Sequence, residues 1–107
     1  MGAFDNLRVT SSASSDGHVV VRLVGELDLG TVPILVDALD DLLEGGPLVI
    51  ELDMSELTFI DSSGVGAVVA AHQRLAAQGR ELRLIRRSPM VARVFDVSGV
   101  DAILGAP

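Results

Sequence analysis

Short runs rich in β-branched residues alternate along the chain with longer segments whose apolar residues recur at helical spacing. His18–Gly25 is rich in valine and predicts a strand. Leu48–Asp53 is apolar nearly throughout, which is typical of a strand that is buried on both faces or lies in the middle of a sheet. Glu81–Ile85 places Leu82 and Leu84 on one face and predicts the last strand.

Three longer segments have the apolar spacing of amphipathic helices. They open at residues that commonly cap helices, Thr31, Asp61 and Ser88, and glycines at or near positions 45, 79 and 99 end them. The side chains predicted to face the core are Val32, Leu35, Val36, Leu39, Leu42 and Leu43 in the first helix, Val65, Val68, Val69, His72, Leu75 and Ala76 in the second, and Val91, Val94 and Phe95 in the third. Val100–Leu104 is expected to form a final turn.

The remaining segments complete the predicted fold. The serine-rich stretch Thr10–Gly17 lies between two strand-like runs and predicts a loose hairpin connection, and Met54–Ile60 is predicted to be an irregular connection. The element order is therefore strand, strand, helix, strand, helix, strand, helix. This alternation predicts an α/β fold in which helices pack against a small mixed β-sheet of about four strands. With 107 residues and no linker or internal repeat, residues 1–107 are predicted to form one domain.

The composition narrows the possible functions. The chain has no cysteine, which excludes disulfides, thiolate metal sites and cysteine nucleophiles. Its formal net charge of −7 disfavours binding to nucleic acid and favours a partner protein with a basic patch. The first residues lack the basic and apolar regions of a signal peptide, and the apolar stretches are too short to span a bilayer. We therefore expect a cytoplasmic protein that does not bind membranes.

The most informative segment is Asp61-Ser62-Ser63-Gly64-Val65-Gly66, at the predicted start of the second helix. The first N–H groups of a helix have no partner within it, and the helix dipole places partial positive charge there. A phosphate on a serine in this turn would therefore be stabilised by the fold. Capping is the commoner role of a serine at such a position, and Asp61 could equally be the cap. The residues alone leave phosphorylation and capping both open.

The two glycines of this segment, Gly64 and Gly66, are unusual inside a helix. Each costs about 0.8–1 kcal/mol relative to alanine, so another interaction should offset the cost. Glycine lets a second surface approach the backbone closely. The pair predicts either a docking face for another protein or close packing of the helix on its own sheet.

An enzyme with Ser62 as nucleophile is the first competing interpretation. Such a serine needs a base, and the only histidines are His18 and His72. Ten residues of helix separate Ser62 from His72 by about 15 Å, which is beyond hydrogen-bond reach. His72 is expected to be in the core or half-buried and His18 to be exposed. We predict that the protein is not an enzyme and has no catalytic residue.

A bound metal ion is a second competing interpretation. The carboxylates of Asp28, Asp53 and Asp61 lie at predicted loop ends and could hold Mg²⁺. Solvated acids are the commoner case on an acidic protein, so no metal and no cofactor is predicted.

Several segments together resemble one protein family. The segment from Asp61 to Gly66 resembles the signature of bacterial anti-sigma factor antagonists, the STAS-domain family. Gly25-Glu26-Leu27-Asp28 resembles the family's turn after its second strand. Ser88-Pro89, Val94-Phe95 and Ser98-Gly99-Val100 resemble its C-terminal helix and turn. The similarity covers essentially the whole chain, and Val65, where the family often has leucine, is a mild departure.

The resemblance implies a specific mechanism. A partner anti-sigma factor, itself a serine kinase, would phosphorylate Ser62. The unmodified protein would bind this kinase and release the sigma factor, the phosphorylated form would not bind, and a metal-dependent serine phosphatase would reset the switch. Asp28 is implied to lie near Ser62 and to contribute to kinase recognition.

The resemblance also implies the partner surface and the assembly state. The partner-binding residues implied around Ser62 are Asp28, Asp61, Ser63, Gly64, Val65 and Gly66. The expected assembly state is a monomer or a weak dimer. The alternative function is a STAS scaffold subunit of a larger signalling assembly, without a phosphorylation switch.

Overall fold

The computed structural model describes residues 6–14 and 17–104, apart from the side chain of residue 101. Within these residues the elements follow in the order β1 Leu7–Ala13, β2 His18–Leu27, α1 Val32–Gly45, β3 Val49–Ile60, α2 Ser62–Ala76, β4 Glu81–Arg87, α3 Pro89–Ser98 and α4 Val100–Leu104. The predicted order of strands and helices is confirmed, and the expected final turn is a short helix.

The four strands form one sheet in the order β1-β2-β3-β4. β1 is antiparallel to β2, whereas β2, β3 and β4 are parallel to one another, which confirms the predicted small mixed sheet. Because the parallel strands point the same way, α1, α2 and α3 all begin at the same end of the sheet, which we call its C-terminal end. β3 extends beyond β4, since Met54 is in register with the last residue of β4, Arg87.

One cluster of buried apolar side chains from the sheet and the helices forms the core. Its largest members are aliphatic apart from Phe95, as the low aromatic content of 3% predicts. Leu27 and Leu57, near the C-terminal end of the sheet, are completely buried. Burial of one leucine side chain contributes about 1.5–3 kcal/mol to the free energy of unfolding, so both residues stabilise this end of the sheet.

Two segments predicted to be connections are parts of strands. Met54–Ile60 continues β3 and pairs with β2 through two irregularities in register, which break the alternation of inward and outward side chains. Thr10–Ala13 belongs to β1, because an edge strand pairs with the sheet along one side only and tolerates exposed polar side chains. Ser15 and Asp16 of the predicted hairpin connection lie outside the described residues.

The buried faces of the helices are largely those predicted. The buried residues are Leu35, Leu39 and Leu43 in α1, Gly64, Val68, Ala71 and Leu75 in α2, and Val91 and Phe95 in α3. The inward orientations predicted for Val36 and Ala76 are wrong, because the buried stripe of each helix is narrower and both side chains lie outside it. None of the helices in the described part of the chain is long and apolar enough to cross a membrane.

The C-terminal end of α1 is held by one arginine. The guanidinium of Arg80 donates to the carbonyls of Leu42 at 2.7 Å, Leu43 at 2.6 Å and Pro47 at 2.9 Å. The last carbonyls of a helix have no partner within the helix. A single side chain next to β4 therefore satisfies the end of α1 and ties it to the sheet.

We expect Arg80→Ala to lower the free energy of unfolding by about 2 kcal/mol, because three carbonyls lose a charged donor. Urea unfolding followed by circular dichroism measures this value. Arg83→Ala is the matched control, since the guanidinium of Arg83 bonds to the exposed side chain of Glu81 and should change the unfolding midpoint little. Equal destabilisation by both substitutions would contradict the role assigned to Arg80.

Candidate functional site

The ends of β2 and β3 lie side by side at the C-terminal end of the sheet. Leu27, the last residue of β2, is in register with Ile60, the last residue of β3. The N–H of Asp61 donates to the carbonyl of Leu27 at 3.2 Å. Neighbouring strands are about 4.8 Å apart. The turn that starts at Asp28 and the helix that starts at Ser62 are therefore brought together at this end of the sheet.

Asp61 is the cap of α2. Its backbone is extended, with φ of −116° and ψ of −173°, and its carboxylate accepts a hydrogen bond from the N–H of Gly64 at 3.1 Å. A side-chain oxygen in this position satisfies one of the unpaired N–H groups at the helix start. The sequence left open which residue caps this helix, and the structure assigns the role to Asp61.

Ser62 is the first residue of α2 and is exposed. In the described part of the chain its hydroxyl has no hydrogen-bond partner, so it does not cap the helix. Ser63 follows at the second helical position and is half-buried. Of the two serines, Ser62 is thus the one whose hydroxyl a second protein can reach most easily, and it lies at the positive end of the helix dipole.

The two glycines of α2 face different surroundings. Gly64 is buried, and a Cβ added to it would lie 2.8 Å from Cγ of Leu27 and 2.9 Å from the carbonyl oxygen of the same residue. Gly66 is exposed, and a Cβ there would meet no atom within 4 Å. Close packing of α2 on the sheet therefore explains why position 64 is a glycine. Because Gly64 is buried, it is not placed for direct contact with a partner protein. Gly66 lies on the open surface beside the half-buried Val65.

The turn after β2 is held by hydrogen bonds between Asp28 and Thr31. The N–H of Thr31 donates to Oδ1 of Asp28 at 3.0 Å, and the N–H of Asp28 donates to the hydroxyl oxygen of Thr31 at 2.9 Å. The Thr31 hydroxyl donates to the carbonyl of Glu26 at 2.8 Å. Thr31 is the N-cap residue of α1, as predicted, but its side chain makes no capping hydrogen bond, because its hydroxyl bonds within the turn. Aspartate is common in turns because its carboxylate can accept a hydrogen bond from a nearby backbone N–H, and this role of Asp28 was not predicted from the sequence.

The charge at this end of the sheet is negative. Glu26 is the next-to-last residue of β2, Asp28 follows β2, and Asp61 follows β3. The basic pair Arg86 and Arg87 lies at the end of β4, six residues of β3 short of Ile60, which is about 20 Å along the strand. Arg86 lies 3.6 Å from Asp53, and the guanidinium of Arg87 lies 5.4 Å from the ring centre of Phe95. An anion on Ser62 would therefore meet neighbouring carboxylates and not this arginine pair.

Neither histidine reaches Ser62. His72 lies ten residues further along α2 and is half-buried, as predicted, with a buried Nδ1 that has no hydrogen-bond partner in the described residues. His18 begins β2 at the opposite end of the sheet, and its Nδ1 lies 3.9 Å from Oε2 of Glu51. The prediction that His18 is exposed is wrong, because its side chain is half-buried. The site therefore has no histidine base for a serine nucleophile.

The three carboxylates considered for Mg²⁺ are not assembled. Asp53 precedes Ile60, the last residue of β3, by seven residues or about 23 Å along the strand, and Asp61 follows Ile60. Burial alone would raise the pKa of Asp53, but hydrogen bonds from Ser55 and the charge of Arg86 outweigh it, and the pKa lies below its ordinary value. Among the described residues, no group of three histidine or acidic side chains could hold a metal ion.

Comparison with known proteins decides the family. Residues 11–106 match the sequence profile of the STAS domain. The chain belongs to the STAS domain family. A relative of this STAS domain, the anti-sigma-B factor antagonist of Listeria monocytogenes, is 27% identical over 99 residues, which are 92% of this chain and 87% of the relative.

Solved structures agree with this assignment. The STAS domain described here superimposes on an anti-sigma factor antagonist from Mycobacterium paratuberculosis with a TM-score of 0.83 and 25% identity, covering 95% of this chain and 86% of the other. The Bacillus cell fate determinant SpoIIAA in its phosphorylated form gives a TM-score of 0.71 and 30% identity, with 89% and 86% covered. SpoIIAA in its unphosphorylated form gives 0.74 and 28%, with 94% and 99% covered. The fold and the family predicted from the sequence are confirmed.

Proposed function

We propose that this protein is an anti-sigma factor antagonist that is switched by phosphorylation. In its unmodified form it binds an anti-sigma factor with serine kinase activity, and the sigma factor is released. Phosphorylation of Ser62 ends this binding, and a metal-dependent serine phosphatase restores it. The similarity to named antagonists over nearly the whole chain supports the role, and the structure of SpoIIAA in a phosphorylated form supports the switch.

The exposed hydroxyl of Ser62 is the observation that carries the proposal. It stands at the first position of α2, free of hydrogen bonds to the described residues, while Asp61 alone caps the helix. A phosphate there gains about 0.3–1 kcal/mol from the helix dipole and displaces no hydrogen bond of the fold. Phosphorylation thus changes the surface and leaves the domain folded.

The partner surface surrounds this hydroxyl. Its proposed members on the surface are Asp28, Asp61, Ser63, Val65 and Gly66, which follow the ends of β2 and β3 or lie in the first turns of α2. Gly64 contributes by letting α2 pack closely on the sheet. Because the partner kinase uses ATP, we place the protein in the cytoplasm.

We expect incubation with ATP and the purified anti-sigma factor kinase of the source organism to add one phosphate, and peptide mass spectrometry to place it on Ser62. Ser62→Ala should remain unlabelled, because the hydroxyl of Ser63 is half-buried. Ser63→Ala is the matched control and should be labelled like the wild type. Labelling of Ser62→Ala at the wild-type rate would refute the site assignment.

A further inference from the structure

Leu29 exposes 76% of its surface although it lies next to the proposed switch. It occupies the turn after β2, two residues beyond Leu27, and Ser62 lies two residues beyond Ile60, the register partner of Leu27. Isolated apolar side chains on a surface are common and need no explanation by themselves. The position of Leu29 and the structure of its turn distinguish it from the others.

Hydrogen bonds between the residues before and after Leu29 hold the turn that carries it. Asp28 precedes Leu29 and shares two hydrogen bonds, of 3.0 Å and 2.9 Å, with Thr31. The N–H of Val32 donates to the carbonyl of Asp28 at 2.8 Å, and Thr31 is only 7% exposed. Because the backbone of this turn is already ordered, little conformational entropy is lost when a partner covers the Leu29 side chain. The turn is therefore suited to inserting an apolar group into another surface.

We propose that Leu29 is an apolar anchor that inserts into a pocket of the anti-sigma factor kinase when the unphosphorylated protein binds. The inference rests on the proposed function and adds a contact residue to it. Burial of a leucine removes apolar surface from water, whereas the neighbouring carboxylates remain at the rim and attract basic residues of the partner. Asp28 then has a second role, which is to position the turn through Thr31.

Charge favours the kinase over a second copy of this chain as the occupant. Glu26, Asp28 and Asp61 all lie at this end of the sheet, and the chain carries a formal net charge of −7. Two copies that met through Leu29 would bring these carboxylates against one another, which costs binding energy. A pocket with a basic rim has the complementary charge.

The test measures the dissociation constant of the purified kinase for each unphosphorylated variant, with ADP present so that no phosphate is transferred. We expect Leu29→Ala to weaken binding by about tenfold or more and Leu29→Met, which keeps an apolar side chain, to bind nearly as well as the wild type. Leu48→Ala is the matched control, because Leu48 is 61% exposed just before β3, at the opposite end of the sheet. It should leave binding unchanged.

The possible outcomes separate the two proposals. A kinase that neither binds nor phosphorylates the wild type would refute the proposed function, and the role of Leu29 with it. A kinase that binds and phosphorylates the wild type but binds Leu29→Ala as well as Leu48→Ala would refute the anchor alone. Sedimentation velocity adds an independent check. A wild-type dimer that Leu29→Ala dissociates would assign the contact to a second copy and overturn the proposal.

Discussion

Gly64→Ala is expected to lower the free energy of unfolding by about 3 kcal/mol, because α2 packs on the sheet without room for a methyl group. The added Cβ would lie 2.8 Å from Cγ of Leu27, 2.9 Å from Cγ1 of Ile60 and 2.9 Å from the carbonyl oxygen of Leu27. The two side chains can shift, but the carbonyl belongs to the backbone of β2. The start of α2 must therefore move away from the sheet, and the hydrogen bond from Gly64 to Asp61 moves with it.

Gly66→Ala is the matched control in the same helix. A Cβ at position 66 meets no atom within 4 Å, so only the helix propensity changes. We expect Gly66→Ala to raise the free energy of unfolding by about 0.8–1 kcal/mol. Urea unfolding of both variants, with the slope of the transition compared with the wild type, measures the two values. If Gly64→Ala were as stable as Gly66→Ala, the close approach of α2 to β2 would be refuted.

The parts of the fold that followed from the sequence are those with a regular pattern. His18–Gly25 and Glu81–Ile85 are strands because their composition and alternation match a pleated surface. Met54–Ile60 does not have the sequence pattern of a strand, because its pairing with β2 contains two register irregularities. These interrupt the alternation of inward and outward side chains on which a strand prediction depends. The pairing of strands depends on contacts between distant segments, so the register of Leu27 with Ile60 could not be derived from either segment alone.

The helix start that carries the proposed site could be predicted from the sequence, but its internal arrangement could not. The serines could be placed at a helix start, since Asp61 to Ser63 are typical capping residues that follow a predicted connection. Two glycines two residues apart on a helix point in directions about 200° apart. One of Gly64 and Gly66 must therefore face inward and the other outward, and only the packing of α2 on the sheet shows that Gly64 is the inner one.

The structure of the turn after β2 also required the three-dimensional fold. Thr31 is at the N-cap position of α1, but its hydroxyl donates a hydrogen bond to the carbonyl of Glu26 and makes none to the helix. That contact exists only because the chain reverses direction after β2. Leu29 is exposed in this turn, although a leucine between an aspartate and a glycine gives no sign in the sequence of whether it is buried.

Phosphorylation of Ser62 is expected to weaken binding to the anti-sigma factor kinase more than a hundredfold. The phosphate carries about −1.5 to −2 charges at pH 7 and would stand beside Asp61, near the turn of Asp28. The arginine pair at the end of β4 lies about 20 Å away along β3, so those side chains do not neutralise it. Enclosing these like charges in an interface costs several kcal/mol, and about 3 kcal/mol already corresponds to more than a hundredfold in affinity.

Isothermal titration of the kinase, with ADP present, into the unmodified and the phosphorylated protein measures this change. Ser62→Asp should reproduce much of the loss, since it places a single negative charge at the same helix start. Ser12→Asp is the matched control, because Ser12 is exposed on β1 opposite Val20, toward the other end of the sheet. Ser12→Asp should bind the kinase like the wild type. The thermal midpoint of the phosphorylated protein should stay close to that of the wild type, because the helix dipole favours an anion at Ser62. A phosphorylated protein that kept its affinity would refute the switch, whereas one that lost its fold together with its affinity would show that the charge acts on the domain and not on the interface.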